Sequence, residues 1–191
     1  MPRPLREDYE GAWHHVMNRG AGRAAIFRAD VDKSLFLDCI VESFERHKLQ
    51  LHAYAMMDTH YHLLACSTTT RLSDAMRFAS GRFTRLKNKR DVSDGPMFRG
   101  RFNSVAIETD AHLIQASRYI HLNPVEAGVV KHAQDWPWSS ASAYLGLIAK
   151  PKWLEISLIL DMFGPVKQVD SFRRHLDAGN DVTTREFYAS L

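Results

Sequence analysis

The sequence predicts an α+β fold in which an antiparallel sheet of four strands carries helices on one face. Three observations predict it. A segment with strict period-two alternation, Leu49–Met57, is followed at once by a second apolar run, His60–Ser67. Two stretches with apolar residues at helical spacing flank this pair. Shorter strand-like runs sit before the first helix and after the second.

The elements follow in order. Trp13–Arg19 reads as a strand closed by a Gly20–Gly22 turn. Asp30 is expected to cap a helix to His47, with Leu35, Phe36, Cys39, Ile40 and Phe44 on one face. Along Leu49–Met57, Leu49, Leu51, Ala53, Ala55 and Met57 face one way and Gln50, His52, Tyr54 and Met56 the other. Asp58-Thr59 suits a tight hairpin into the strand His60–Ser67. Leu72–Arg90 reads as a helix striped by Leu72, Met76, Ala79, Phe83 and Leu86. After the Asp94-Gly95-Pro96 turn, Phe102–Glu108 is the fourth strand. Asp110 is expected to cap a third helix that stops near Asn123, because Pro124 lacks the N–H to continue it. The order β-α-β-β-α-β is the ferredoxin-like, split βαβ pattern, here followed by one more helix. Residues 1–130 are read as the domain. Residues 131–191 are read as a carboxy-terminal extension packed on it, with helices around Leu154–Phe163 and Ser171–Leu176.

Composition narrows the class. Of 191 residues, 45% are hydrophobic and 25% charged, ordinary for a folded soluble domain. No apolar run has the length of a membrane span, and the amino-terminal MPRPLREDYEGAW lacks the apolar core of a secretory signal. Cys39 and Cys66 sit in apolar segments and suggest no disulfide framework, so a reducing cytoplasm, at the nucleoid, is the expected location. Net charge is only +3, but residues 71–103 hold nine Lys/Arg against three Asp, leaving −3 elsewhere. Such asymmetry suits a polyanion met on one side. It equally describes a solvated helix face.

The chemistry-bearing residues lie on the third strand and third helix. His60 and His62 point to one side of their strand, about 7 Å apart along the backbone, close enough for both imidazoles to bind one divalent ion. A strand with two surface histidines is the competing reading. On the helix, His112, Gln115, Tyr119 and Asn123 fall in one polar arc beside the apolar Leu113, Ala116 and Ile120, and Tyr119 and Asn123 are one turn apart. That arc offers a nucleophilic hydroxyl and an amide oxygen. It is also compatible with a tyrosine that merely anchors its helix and an asparagine that ends it.

Taken as a set, His60-Tyr61-His62, Phe98-Arg99-Gly100-Arg101-Phe102 and Arg118-Tyr119-Ile120-His121-Leu122-Asn123-Pro124-Val125 resemble the REP-associated tyrosine transposases. These are relatives of the small single-tyrosine transposases of insertion sequences, in the HUH nuclease superfamily. Val16-Met17-Asn18-Arg19-Gly20, Trp138-Ser139-Ser140 and Tyr144-Leu145-Gly146 extend the resemblance from about Trp13 to Gly146. It implies that His60, His62 and Asn123 bind a divalent metal, Mg²⁺ or Mn²⁺, and that Tyr119 is the nucleophile. It further implies cleavage and rejoining of single-stranded DNA, at hairpins or repeats, through a 5′-phosphotyrosine, by a monomer or a homodimer. Arg19, Arg23, Arg82, Arg85, Lys87, Lys89, Arg99 and Arg101 are the expected DNA-gripping residues. His112 and Gln115 are candidates for a supporting role, His112 as a general base. Two positions depart from the family pattern: Asp58-Thr59 stands where Pro-Asn is common, and Glu126 where a basic residue is. Two other classes stay open. One is a non-catalytic ferredoxin-like module that binds single-stranded nucleic acid. The other is a metal-dependent hydrolase with no covalent step.

Overall fold

The computed structural model describes residues 8–189. The outer ends of the two expected segments, 1–130 and 131–191, lie outside these residues, as does most of the amino-terminal stretch read as lacking a signal. The elements run β1 (Ala12–Arg19), α1 (Asp30–His47), β2 (Leu49–Met56), β3 (His60–Ser67), α2 (Leu72–Asp91), β4 (Asn103–Ile107) and α3 (Asp110–Glu126). Four shorter helices follow: α4 (Ala141–Tyr144), α5 (Ser157–Asp161), α6 (Gln168–Asp177) and α7 (Val182–Ala189). The sheet order is β2-β3-β1-β4 with every pairing antiparallel, which is the ferredoxin-like arrangement.

The two faces of the sheet are covered differently. Tyr61 on β3 packs against Phe36 of α1, and Phe36 against Phe83 of α2, so α1 and α2 lie together on the Tyr61 face. His60 and His62, by the period of two, point to the opposite face, where α3 lies.

Two caps differ from expectation. The helix α1 begins after Ala29, and Asp32 supplies the cap: its Oδ2 accepts from the N–H groups of Arg28 at 2.7 Å and Ala29 at 3.2 Å. Asp30 is already helical and its Oδ1 accepts instead from the Trp138 indole at 2.8 Å. The helix α3 is capped by Thr109, whose extended backbone lets Oγ1 accept from His112 N–H at 3.2 Å, and not by Asp110. It also runs through Pro124 to Glu126. Proline removes one hydrogen bond, but the turn survives because Ala127 N–H reaches the Asn123 carbonyl and Val129 N–H reaches that of Pro124. The asparagine is therefore held inside the helix.

The carboxy-terminal segment is joined to the sheet by backbone bonds. Met56 N–H donates to Trp138, Ser140 N–H to Tyr54, and Glu155 N–H to Leu51, so the outer edge of β2 is bridged at Leu51 and again around Tyr54–Met56. Helices expected around Leu154–Phe163 and Ser171–Leu176 appear as α5 and α6. Phe172 of α6 stacks on Tyr144 at 4.8 Å.

Lys87 anchors α2 to α1. Its ammonium, 2% exposed, reaches Asp32 (1% exposed) at 3.0 Å and Asp91 at 2.7 Å, and Arg90 also pairs with Asp32. The expectation that Lys87 grips DNA is corrected accordingly: a buried, doubly paired ammonium has no access to a phosphate. Asp32→Ala leaves that charge short of a partner and uncaps α1. We expect a loss of about 3–5 kcal/mol, read as a lower urea midpoint at unchanged slope.

Candidate active site

The site is built where the end of α3 meets β3. Asn123 Oδ1 lies 3.0 Å from His60 Nε2, and Asn123 Nδ2 lies 3.4 Å from His62 Nε2. A single amide thus faces both imidazoles. One turn earlier, the Tyr119 ring stands edge-on to His62, with centroids 5.5 Å apart at 87°. Tyr119 is 7% exposed, yet lines the same cleft as His60 and His62. The four residues expected to carry the chemistry are brought together.

Each histidine is held from behind. His60 Nδ1 lies 3.0 Å from Thr59 Oγ1, and His62 Nδ1 lies 2.9 Å from His15 Nε2. With those contacts behind them, the Nε2 atoms of both rings and the Asn123 oxygen form an N,N,O donor set that could hold one divalent cation. Among the described residues no three His, Cys, Asp or Glu side chains are grouped for a metal, so the amide is the available third donor.

Burial sets the protonation states. It holds His60 below its ordinary value despite the Asn123 contact that favours the charged form. His62 is lowered well below 6.5, first by burial and then by the neighbouring His15 and His60. A neutral imidazole is the form that binds metal. Burial and Glu126 push the Tyr119 phenol up, while its hydrogen bond with Asn123 pulls it down. The free phenol is therefore a poor nucleophile at neutral pH.

Basic side chains rim the cleft, which encloses about 980 Å³. Arg19, Arg23, Arg99 and Arg101 all line it. One backbone bond and one side-chain bond explain their meeting: Arg99 N–H donates to the Arg19 carbonyl at 2.9 Å, and the Asn18 side-chain Nδ2 to the Gly100 carbonyl at 3.0 Å. This ties residues 97–101 across the end of β1. Gly20 is required in the turn, since a Cβ there would sit 2.0 Å from the Ala24 carbonyl oxygen. The other expected DNA contacts lie elsewhere. Arg82, Arg85 and Lys89 belong to α2 on the far face of the sheet, and Arg82 pairs with Glu42 at 2.7 Å.

His112 and Gln115 do not line the cleft. His112 Nε2 is 3.1 Å from the Tyr188 hydroxyl, and Gln115 is exposed. Three residues that sequence reasoning did not assign to the site now belong to its description. Tyr188 of α7 stacks on Tyr119 at 4.3 Å and 25°. Thr59 contacts His60. His15 was detectable, because β1 pairs Met17 with His62 and Arg19 with His60, so the same period of two puts His15 on that face. Nothing in the local pattern signalled Tyr188. The two departures from the family pattern each have partners: Asp58 pairs with Lys33 at 2.8 Å, and Glu126 accepts from Asn180 at 3.0 Å.

A small domain thus presents a helix-borne tyrosine and paired histidines from one face of an antiparallel sheet, beneath a basic rim. A family model described as "Transposase IS200 like" matches residues 8–123, and the chain belongs to the IS200-like transposases. Among solved structures it is similar to a REP-associated tyrosine transposase bound to a REP hairpin. The identity is 20% and the TM-score 0.66, with 82% of this chain and 96% of that one covered. A Deinococcus radiodurans protein described as a candidate transposase is 15% identical over 58% of this chain and 89% of its own, at a TM-score of 0.44. No curated protein matches the chain significantly. Among the described residues, no helix is long and apolar enough to cross a membrane.

The buried imidazoles make stability depend on pH. Burial lowers His15 to about 3, His52 to about 4 and His121 to about 3. Below about 6.5 the unfolded chain takes up protons on these rings while the folded chain does not. Their full contribution is therefore present above 6.5 and is lost as pH falls toward 3–4, by up to about 1.4 kcal/mol per ring and pH unit. Thermal melts followed by circular dichroism should show Tm dropping steadily from pH 7 to pH 5; a flat profile contradicts buried neutral rings.

Proposed function

We propose that the chain cuts and rejoins single-stranded DNA, at a hairpin or repeat, by transesterification through a 5′-phosphotyrosine on Tyr119. This places it functionally with the REP-associated tyrosine transposases. The observation that carries the reading is that Tyr119, His60 and His62 line one basic-rimmed cleft while the Asn123 amide stands within 3.0–3.4 Å of both imidazoles. All four side chains come from one chain, which supports a site that needs no tyrosine from a partner.

The residues divide the work as follows. Arg19, Arg23, Arg99 and Arg101 hold backbone phosphates at the cleft mouth. His60, His62 and Asn123 offer three donors to a divalent cation, Mg²⁺ or Mn²⁺. When bound, such an ion neutralises charge on the scissile phosphate. The Tyr119 oxygen attacks phosphorus and loses its proton; the bond from phosphorus to the 3′-oxygen breaks, and that oxygen leaves as a 3′-hydroxyl. Because the phosphodiester energy is kept in the tyrosyl ester, a 3′-hydroxyl can reverse the step and rejoin strands without ATP. Burial of the phenol means that it ionises only as the attack proceeds. The His112 imidazole, turned toward Tyr188, is not in contact with it, so the proton acceptor on this reading is a water or the DNA phosphate.

Incubation with a labelled single-stranded hairpin and Mn²⁺ or Mg²⁺ should yield a protein–DNA adduct on a denaturing gel, absent in Tyr119→Phe and in His60→Ala. Cleavage that survives Tyr119→Phe would favour a hydrolase, and binding without cleavage a non-catalytic module.

Hairpin binding should also weaken with salt. Replacing Arg23 and Arg99 by Ala should flatten the slope of log affinity against log salt by about 0.7 per lost phosphate contact. Arg85→Ala and Lys89→Ala, on the other face, should leave it unchanged. The reverse pattern would move the DNA to α2.

A further inference from the structure

The two nitrogens of His62 each have one polar neighbour. Nε2 faces Asn123 Nδ2 at 3.4 Å, and Nδ1 faces His15 Nε2 at 2.9 Å. An amide nitrogen only donates, so His62 Nε2 accepts and carries no proton. The His62 proton is then on Nδ1, and it is donated to His15. His15 must therefore offer the lone pair of Nε2 and keep its own proton on Nδ1. That Nδ1 is buried with no hydrogen-bond partner among the described residues.

This is a costly way to fill space. An unpartnered buried ring N–H loses its hydrogen bond to water without replacement, a penalty that a leucine of similar volume would avoid. What the ring provides is an acceptor that water cannot replace, since His15 is 0% exposed and His62 only 5%. It is also rigidly mounted. β1 and β3 pair along their whole length, His15 opposite Leu64 and Met17 opposite His62, and the His15 ring is wedged against Tyr188 at 4.7 Å.

We propose that His15 is a positioning residue of the cation site: by accepting the His62 Nδ1–H, it fixes the ring plane and tautomer that turn the His62 Nε2 lone pair toward Asn123. Buried ligand histidines are commonly oriented by such an acceptor, and its loss typically weakens metal affinity about 10–100-fold. A carbonyl or carboxylate is the usual acceptor, whereas here the role falls to a second, neutral imidazole, which adds no negative charge to the donor set. This inference rests on the metal-binding reading above.

The test uses the full chain without DNA and Mn²⁺ as the probe, titrated by calorimetry and by electron paramagnetic resonance. His15→Leu keeps the volume and removes the acceptor; His15→Gln keeps an acceptor at the same reach. We expect about 10–100-fold weaker Mn²⁺ binding in His15→Leu and near wild-type binding in His15→Gln, with hairpin affinity in EDTA unchanged in both. Nitrogen NMR of the metal-free wild type should find His62 protonated on Nδ1, a measurement that stands even if His15→Leu fails to fold. Equal Mn²⁺ affinity in the Leu and Gln variants, or wild-type His62 protonated on Nε2, overturns the role of His15. If His60→Ala also leaves Mn²⁺ affinity unchanged, it is the cation site itself that fails.

Discussion

A primary amide has one accepting end and one donating end, and Asn123 spends both on imidazoles. That polarity is the constraint on which the geometry of the site depends. It orders the protons around it: His60 donates to the amide oxygen and His62 accepts from the amide nitrogen. Thr59 then contacts the back of His60, as His15 does that of His62. Because Thr59 has a hydroxyl, it can donate to His60 Nδ1 in this arrangement and accept from it when the His60 proton moves across the ring.

The amide can act this way because α3 carries it past the point where the sequence argued for a stop. Proline within the helix removes the N–H that would bond to the Ile120 carbonyl, but the following turns are closed by Ala127 and Val129. The helix is also tied down beyond its end, since Glu126 accepts from Asn180 and approaches Arg185 on the last helix. Tertiary contacts at the carboxy terminus therefore help to set where one side chain of the site stands.

Much of this was legible in the chain. The period of two on β3 and the 100° step on α3 placed His60, His62, Tyr119 and Asn123 on facing surfaces, and strand order followed from the element order. Caps were read one residue or more away from where they are. A short acidic side chain near a helix start can cap from several positions, and only the backbone decides which. Charge was the weaker guide. The basic run of α2 combines three fates that composition does not separate: Lys87 buried between Asp32 and Asp91, Arg82 paired to Glu42, and Arg85 and Lys89 turned to solvent. The arginines that line the cleft come instead from the end of β1 and the segments beside it, brought together by hydrogen bonds between residues distant in sequence. Tyr188 was illegible for the same reason, since its place depends on how the final helix docks.

The pairing of β2 with residues 138–155 has a consequence for how the fold keeps to itself. An unpaired outer strand offers a row of amides and carbonyls on which another chain can add a strand. Here the polypeptide supplies its own partner on that side, while the opposite border is β4, only five residues long. Neither margin of the sheet is a long open template, so the fold is guarded against zipping onto copies of itself at its rims.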